Sequence, residues 1–353
     1  MLKIEHDVPL APLTTLGLGG PAAHFAAVQT SDALIEAITW AEARGVPARI
    51  IGGGSNVVIA DAGLEDLVIH PRTRGLAIAR TGPVATVRVA AGEPWDDVVA
   101  ATTAAGLSGI ECLSGIPGLA GATPIQNVGA YGQEISQVLR SVRAYDTEHK
   151  RVVELSAADC GLQYRSSAMR RDPSRWVVLD VTLELQVDGT PQIRYGELAR
   201  SLEGEAVTPA RVRESVLRLR RAKSMVLDPR DPNRRSAGSF FTNPVVASER
   251  SDAVEVAARK RGLLETRELP RWAQPDGQVK LAAGWLIEAA GFNKGDRRGA
   301  VGISSAHALA LVHHGGGTTR ELLALAREIR DGVRDTFGIV LAPEPVLLGV
   351  DWS

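Results

Sequence analysis

Hydrophobic positions in the first half of the chain alternate between helical and extended spacing. Leu34 and Ile38 recur at a helical interval and predict a helix over residues 31–45, capped by Ser31 or Asp32. Strands are predicted over residues 46–51, 57–59, 84–90, 141–145 and 176–186, and a second, shorter helix over residues 96–105. Because strands, glycine-rich turns and short helices follow one another without a regular βαβ period, the pattern favours an α+β fold over a doubly wound parallel sheet.

Two helix starts in the second half can be recognised from their capping residues. Thr208 and Pro209 supply a cap and a first-turn proline, and residues 318–321 form a capping box ahead of another apolar stripe. The helix that starts at Thr208 ends in a basic cluster that includes Arg220 and Lys223. These charges fit either a solvated helix face or a contact with a phosphorylated ligand.

Composition and charge narrow the class of protein. A length of 353 residues predicts roughly two or three domains. The 40 basic and 41 acidic side chains give a net charge of −1, which excludes a generic polyanion binder, so no nucleic-acid partner is expected. The N-terminus has no apolar signal-peptide core, and the longest uncharged run, residues 112–133, is rich in glycine. Two cysteines fit a reducing compartment, so we expect a cytoplasmic protein that does not bind membranes.

A glycine motif near the N-terminus, residues 17–22, superficially fits the dinucleotide fingerprint G-x-G-x-x-A. That fingerprint requires a strand before it and a helix that begins on it. The preceding residues are too few for a strand, and Pro21 is unfavourable within the motif. A classical dinucleotide site is therefore not expected here.

Two other glycine-rich segments are better ligand-binding candidates. Residues 52–56 (GGGSN) follow a predicted strand, so their backbone N–H groups can form an anion nest, although a simple turn explains them equally well. Residues 115–132 are uncharged, and we expect none of them to build a core element. A long neutral glycine-rich segment usually wraps a ligand. Together the segments suggest one extended ligand with a pyrophosphate and a flat ring, which FAD fits.

Six motifs together carry a resemblance to a known family: GGGSN, GIPGLAGATPIQNVGAYG, YRSS, RYGEL, GSFFTNP and LAPEPVLLG. The chain resembles the UDP-N-acetylenolpyruvoylglucosamine reductases, flavoenzymes of the vanillyl-alcohol-oxidase (PCMH-type) FAD-binding class, from about Thr14 to Gly349. The resemblance implies an α+β fold with a two-lobed FAD-binding domain and a C-terminal α+β substrate-binding domain. The expected boundaries are residues 1–62, joined by 340–353, for the first lobe, 63–215 for the second lobe and 216–339 for the substrate domain.

The resemblance also implies an activity. The family uses NADPH and non-covalently bound FAD to reduce UDP-N-acetylenolpyruvoylglucosamine to UDP-N-acetylmuramate, a precursor of peptidoglycan. In that reaction the hydride moves from N5 of the flavin to C3 of the enolpyruvyl group, and C2 is protonated. We expect a monomer of the subtype that has an added tyrosine loop.

Site residues follow from the same motifs. The resemblance implies catalytic roles for Arg165, Ser239 and Glu344, and substrate contacts from Tyr131, Tyr164, Tyr195, Arg220, Lys223 and Asn243. FAD contacts are expected from Gly52, Gly53, Gly54, Ser55, Asn56, Gly115, Ile116, Pro117, Gly118, Gly121, Ala122, Thr123, Gln126, Asn127, Gly129, Ala130 and Tyr131. No metal site is expected, and the histidines at 307, 313 and 314 are interpreted as structural.

Each catalytic candidate also has a structural interpretation. Arg165 alone could form a surface ion pair, and Ser239 could cap a turn. Glu344 lies in a run that looks buried, where a carboxyl group must be paired or protonated. Thr242, where the family often has lysine, and the long charged segment 228–235 depart from the family pattern.

Two other functions remain open. One is a flavin oxidase of the same fold, many of which hold flavin covalently through His or Cys; Cys112 is the only such residue near the glycine-rich segments. The other is a catalytically silent protein that binds a nucleotide sugar. Visible absorbance and NADPH oxidation distinguish the three.

Overall fold

The computed structural model describes residues 2–264 and 268–353. The strands, in chain order, are β1 (Glu5–Pro9), β2 (Pro21–Val28), β3 (Ala48–Ile50), β4 (Val57–Ile59), β5 (Leu64–Pro71), β6 (Leu76–Thr81), β7 (Val84–Ala90), β8 (Leu107–Ser108), β9 (Gly129–Ala130), β10 (Gln133–Glu134), β11 (Leu139–Asp146), β12 (Arg151–Ser156), β13 (Trp176–Val187), β14 (Ser236–Ser239), β15 (Val245–Val246), β16 (Arg271–Ala273), β17 (Val279–Leu281), β18 (Arg297–Arg298), β19 (Val301–Ile303), β20 (Ala310–His313) and β21 (Val346–Leu348).

The helices are α1 (Ser31–Glu42), α2 (Trp95–Ala104), α3 (Ala157–Cys160), α4 (Ala168–Arg171), α5 (Gly196–Ser201), α6 (Pro209–Ala222), α7 (Ser248–Lys260), α8 (Ala283–Ala289) and α9 (Thr319–Phe337). Most strand pairs are antiparallel, whereas β3 pairs with β5 and β4 with β21 in parallel. This arrangement is the predicted α+β class. Within the described residues, no helix is both long enough and apolar enough to cross a membrane.

The chain divides into two compact units. The first comprises Met1–Val8, Ala22–Gly53 and Glu65–Leu227, and the second comprises Pro9–Pro21, Gly54–Leu64 and Asp228–Ser353. The last division falls at the start of the charged segment 228–235, whose Asn233 is buried although the segment is otherwise mostly polar and accessible. The three-part boundaries expected from the resemblance stay a prediction.

The first unit is built on a six-stranded sheet with the strand order β12-β11-β13-β7-β6, to which β8 adds by pairing with β13. Strand β13 alternates buried and accessible positions along much of its length, the pattern of a half-buried strand. Helix α2 covers the sheet with Trp95, Val98 and Val99, which are buried in the same hydrophobic core. Apolar burial at this scale is the main stabilising contribution to the unit.

A second sheet of the first unit has the order β1-β2-β5-β3. Helix α1 packs its predicted stripe, including Leu34 and Ile38, into a core with β5. The predicted cap was wrong by one residue: the side chain of Thr30, not Ser31 or Asp32, accepts the hydrogen bond from the Ala33 amide. A threonine in extended conformation directly before the first helical turn satisfies that amide equally well.

The N-terminal glycine motif lies ahead of a strand instead of behind one. Strand β2 begins at Pro21, and no helix begins within residues 17–22. A strand therefore follows the motif, where the dinucleotide fingerprint requires a helix.

The second unit contains a four-stranded sheet, β14-β20-β19-β18, a three-stranded sheet, β15-β17-β16, and the parallel pair β4–β21. Helix α9 buries Leu322, Leu325, Ile329 and Val333 on one face, as its spacing predicts. Its start carries the predicted capping box between Thr318 and Glu321, and Gly338 ends the helix in a left-handed conformation. His313 is structural: its ring lies within hydrogen-bond distance of the Leu16 carbonyl oxygen and the Gly317 amide.

Candidate active site

Within the first unit, Gly52 and Gly53 of the first glycine-rich segment lie against the second glycine-rich segment. A Cβ atom built on Gly53 would lie 2.8 Å from the Cα of Gly118, and one built on Gly52 would lie 3.5 Å from the Leu119 side chain. Gly118 has φ = +120°, a conformation that side chains rarely adopt. Any larger residue at Gly53 would push the segments apart. This close pairing of two backbone segments, called the cradle below, is where the sequence predicts an extended cofactor such as FAD.

The second segment also contributes to the core, so the expectation that none of it builds a core element was wrong. Ala120 and Val128 are buried in the hydrophobic core of the first unit. Residues Ala120–Ala122 form a 3-10 turn, and β9 pairs with β10. The segment packs closely because Gly121 lacks a side chain; a Cβ there would lie 2.6 Å from that of Ala91.

Two polar residues of the second segment anchor it. The Asn127 side chain is buried, donates to Glu134 Oε2 (3.0 Å) and accepts from the Ser136 amide (3.0 Å). The Gln126 Oε1 atom accepts from Arg170 Nη1 at 3.2 Å. These side chains fix the segment, so its backbone is held in place for a ligand.

Arg165 packs against the second glycine-rich segment. Its guanidinium donates to the carbonyl oxygens of Gly129 (3.3 Å) and Asn127 (3.5 Å), and it lies 5.5 Å from the ring centre of Tyr164. Arg165, Asn127 and Tyr131 all have positive φ, at +52°, +44° and +49°. Non-glycine residues in this conformation cost of order 1–3 kcal/mol each and cluster at functional sites. The local strain supports a functional interpretation of Arg165.

Four of the predicted substrate residues gather at the ends of α5 and α6. Leu198 and Leu202 pack against Val212 and Val216 in one apolar cluster. This packing brings Tyr195, which immediately precedes α5, to the C-terminal end of α6.

At that junction the side chains are in contact. The rings of Tyr131 and Tyr195 meet edge to face with centroids 5.3 Å apart. The Lys223 ammonium lies 5.7 Å from the Tyr131 ring centre and forms an ion pair with Glu197. Burial acts to lower the pKa of Lys223, but the hydrogen bond and charge of Glu197, together with Tyr131, outweigh it and raise that pKa. Burial raises the pKa of Tyr131. Lys223 is thus a fixed cation beside two phenols.

Arg220 contacts the start of the second glycine-rich segment. Its Nη2 atom donates to the Met225 carbonyl oxygen at 2.7 Å, and a Cβ on Gly115 would lie 3.4 Å from its Nε atom. Burial lowers the pKa of Arg220, while the nearby Tyr131 and Asp96 act against that shift. Arg220 therefore places a positive charge between the glycine-rich segment and the tyrosine pair.

Ser239 and Glu344 lie in the second unit. Ser239 ends β14 beside a β-bulge: Ser236 pairs with Val312 and Ser239 with Ala310, and Gly238 between them has φ = +73°. Bulges of this kind re-aim a side chain and are common next to active sites. The Glu344 amide donates to the Phe240 carbonyl oxygen at 2.8 Å. The backbone therefore holds Glu344 beside the residue that follows Ser239.

The run around Glu344 is only partly buried, so the expected burial was wrong in part. Ile339 and Leu341 are buried, but Val340 and Val346 are 62% and 45% exposed. Glu344 itself has intermediate exposure. The alternation arises because this stretch is extended and only every other side chain enters the core.

Asn243 has a structural partner. Its Oδ1 atom accepts from the Ala283 amide at 2.9 Å, at the start of α8. The hydroxyl of Thr242, where the family often has lysine, donates to the Ala342 carbonyl oxygen at 3.3 Å. The amide NH₂ of Asn243 is the group left for a substrate contact.

Two carboxylates of the site escape prediction from the sequence. Glu197 pairs with Lys223 across 26 residues, and Asp96 pairs with Arg213 across 117 residues. Glu197 belongs to the RYGEL motif, in which the sequence predicted a role only for the tyrosine. Asp96 matches the ordinary preference for an acidic residue in the first turn of a helix. Neither pairing leaves a local signal in the sequence.

Comparisons with known proteins identify the family that the chain is similar to. Residues 229–348 match the C-terminal domain of UDP-N-acetylenolpyruvoylglucosamine reductase, and residues 22–156 match an FAD binding domain. The chain is 52% identical to the UDP-N-acetylenolpyruvoylglucosamine reductase of Thermobifida fusca, covering 99% of each chain. It is 49% identical to that of Streptomyces coelicolor, covering 98% of this chain and 90% of the relative.

A solved structure extends the comparison. The UDP-N-acetylenolpyruvylglucosamine reductase of Thermus caldophilus superimposes with a TM-score of 0.67 at 25% identity, over 99% of this chain and 100% of that one. The matches confirm the predicted fold class, an α+β FAD-binding domain followed by a C-terminal domain. With about half of its residues identical to named relatives over nearly its whole length, the chain belongs to the UDP-N-acetylenolpyruvoylglucosamine reductase family.

Proposed function

We propose that the protein reduces UDP-N-acetylenolpyruvoylglucosamine to UDP-N-acetylmuramate for peptidoglycan synthesis, with FAD as cofactor and NADPH as reductant. Family membership over nearly the whole chain supports the reaction. The structural observation that carries the proposal is the backbone contact between the Gly53 and Gly118 segments, which creates a cradle without side chains.

FAD would be held by the two glycine-rich segments, residues 52–56 and 115–131. Their neutral backbone offers N–H donors for a pyrophosphate and room for a flat ring. When bound, FAD supplies hydride-transfer chemistry, with NADPH as the reductant.

Arg165 is proposed to stabilise the negative charge that develops on the substrate carboxylate. Its guanidinium is planar and permanently charged, and its contacts with two backbone carbonyl groups keep it oriented before substrate arrives. A cation that is aimed in advance lowers the barrier more than one that must reorganise. Tyr164, whose ring lies beside the guanidinium, restricts it further.

Ser239 is proposed to deliver the proton to C2 of the enolpyruvyl group, with Glu344 acting beside it. The bulge at Gly238 gives Ser239 an orientation that a regular strand would not. A hydroxyl is a weak acid, so it suits only a strongly basic carbon in a site sheltered from water. The backbone bond between Glu344 and Phe240 fixes the relative placement of the two segments.

Lys223, Tyr195 and Tyr131 are proposed to bind the diphosphate of the substrate. An ammonium group suits phosphate as a point charge. Lys223 already has a carboxylate partner in Glu197, so a diphosphate must displace that carboxylate or share the cation. Arg220 adds a second positive charge, and the NH₂ group of Asn243 would contribute a further hydrogen bond.

A covalent-flavin oxidase is less well supported. Cys112 is fully buried, and burial together with the adjacent Glu111 raises the pKa of its thiol. A thiol in that state is a poor nucleophile for attachment to flavin. The monomeric state, the cytoplasmic location and the tyrosine-loop subtype stay predictions.

Three measurements on the purified protein test the proposal. We expect a yellow protein whose flavin is released into the supernatant by acid precipitation. We also expect NADPH oxidation that depends on the enolpyruvyl substrate. Flavin that stays with the precipitate would favour the oxidase, and a colourless protein that leaves NADPH unoxidised would favour the silent binding protein.

A further inference from the structure

Asp96 connects the second glycine-rich segment to the basic helix α6. It lies in the first turn of α2, and its carboxylate accepts a hydrogen bond from the Gly115 amide at 2.6 Å. The same carboxylate accepts two hydrogen bonds from the terminal nitrogens of Arg213, at 2.6 and 2.9 Å. Bidentate pairing of this kind is the strongest geometry for a guanidinium and a carboxylate.

The two residues that Asp96 contacts, Gly115 and Arg213, each belong to an element that is proposed to bind a ligand. Gly115 opens the segment that would hold FAD, and it has φ = +70°. Arg213 lies on α6, the helix that ends at Arg220 and Lys223. One carboxylate therefore reaches the cofactor segment on one side and the diphosphate helix on the other.

The charge of Asp96 is well satisfied where it stands. Burial acts to raise its pKa, but the hydrogen bonds from Arg213 and the Gly115 amide, with the charges of Arg213 and Arg220, lower it. Its side chain is 37% exposed, whereas that of Arg213 is 18% exposed. The neighbouring Asp97, in the same helical turn, is exposed and lies outside this set of bonds.

We propose that Asp96 is a positioning residue that fixes the FAD segment and the diphosphate-binding helix relative to each other. The inference rests on the proposed function, which supplies the two ligands. Its specific consequence is that one substitution at Asp96 weakens both binding sites, whereas a substitution at Arg213 weakens only one.

The test compares three variants: Asp96→Asn, Arg213→Ala and Asp97→Asn. FAD affinity is measured from flavin fluorescence, and the affinity of the holoprotein for UDP is measured by calorimetry. In Asp96→Asn the new NH₂ group opposes Arg213 Nη2, and the remaining oxygen, which accepts from both the Gly115 amide and Arg213 Nη1, loses its charge. Both bonds are weakened, so we expect FAD and UDP each to bind about ten- to a hundredfold more weakly.

Arg213→Ala separates positioning from a general loss of structure. The bond from the Gly115 amide remains in this variant, and water can reach the partly exposed carboxylate. UDP affinity should therefore fall about tenfold while FAD affinity stays within about threefold of the wild type. Asp97→Asn removes the same charge from the same helical turn and should leave both affinities unchanged.

Wild-type affinities in Asp96→Asn, or equal losses in Asp97→Asn, would overturn the inference. If Asp96→Asn does not fold, Arg213→Ala is the deciding variant. A loss of UDP affinity alone supports the inference, whereas a loss of both UDP and FAD affinity, or of neither, overturns it. A wild type that binds no FAD contradicts the proposed function and the inference with it. A wild type that binds FAD and turns over substrate, with equal behaviour of the two aspartate variants, overturns the inference alone.

Discussion

At the scale of single residues, the site combines two kinds of position. Some are glycines in close backbone contact, and others are larger residues held in a strained backbone conformation. Gly53 and Gly118 are required by their close contact. Arg165, Asn127 and Tyr131 instead keep side chains in a left-handed conformation. Evolution tolerates such conformations where a side chain must be presented in one place. The glycine motifs were predictable from the sequence, but the strained residues were not, since arginine, asparagine and tyrosine carry no sign of their backbone angles.

Gly53→Val should lower FAD affinity. A Cβ at this position would lie 2.8 Å from the Gly118 Cα, so backbone must shift and the cradle must open. Flavin content after purification and the FAD dissociation constant measure the effect, with Gly284→Ala as a control, since a Cβ there meets only the Leu309 side chain at an ordinary contact distance of 3.6 Å. Full FAD occupancy in Gly53→Val would argue strongly against this cradle.

Ser239→Ala should separate the two half-reactions. The variant should bind FAD and accept electrons from NADPH at a near-normal rate, because no proton from Ser239 is needed there. Reoxidation by the enolpyruvyl substrate should slow by about 10²–10⁴, the usual contribution of a general acid. Ser239→Cys should keep part of the activity, since a thiol also donates a proton. Normal reoxidation in Ser239→Ala, followed by rapid-mixing absorbance, would place the proton donor elsewhere, with Glu344 the next candidate.

At the scale of elements, the starts of α6 and α9 and the amphipathic stripes were predicted well, whereas the cap of α1 and the contacts between helices were not. The start of α6 at Thr208 and Pro209 and the capping box of α9 follow from local chemistry. The packing of α5 on α6, which assembles Tyr195, Glu197 and Lys223, depends on side chains distant in sequence. From the sequence, the basic residues at the end of α6 could lie on a solvated helix face or contact a ligand. The structure adds a third possibility, because one of them, Lys223, pairs with Glu197 within the protein.

Lys223→Ala should raise the KM for the enolpyruvyl substrate and affect anaerobic reduction of the flavin by NADPH less. Loss of a charge-assisted contact is worth about 1.5–3 kcal/mol, or about ten- to a hundredfold in affinity. The lower end is expected here because the side chain is partly exposed and already paired with Glu197. Arg221→Ala, which removes an exposed charge from the same helix, is the matched control. Equal damage to both half-reactions in Lys223→Ala would show that the diphosphate assignment is wrong.

Thr318→Ala should destabilise the second unit without changing FAD binding. The Thr318 side chain accepts from the Glu321 amide, and the Glu321 carboxylate accepts from the Thr318 amide at the start of α9. Loss of a threonine cap costs about 0.5–2 kcal/mol of folding free energy. Chemical denaturation should show a lower midpoint with an unchanged slope. An unaltered midpoint would mean that the cap contributes nothing to folding.

At the scale of the whole molecule, the sequence identified the family and the α+β class because six motifs spread over the chain agree. The division into two units was harder to predict from the sequence, because two short segments near the N-terminus, Pro9–Pro21 and Gly54–Leu64, belong to the same unit as the C-terminal part of the chain. The three catalytic candidates are correspondingly divided, with Arg165 in the first unit and Ser239 and Glu344 in the second. Long-range ion pairs such as Asp96–Arg213 leave no local pattern in the sequence, so only the structure identifies them.

The reductase function is tested by following the flavin through both half-reactions without oxygen. NADPH should bleach the visible flavin band of the purified protein, and the enolpyruvyl substrate should restore it with formation of UDP-N-acetylmuramate. In heavy water with unlabelled NADPH, the product should carry solvent deuterium at C2, the carbon that receives the proton. A reduced flavin that the substrate fails to reoxidise, and that only oxygen restores, would contradict the account.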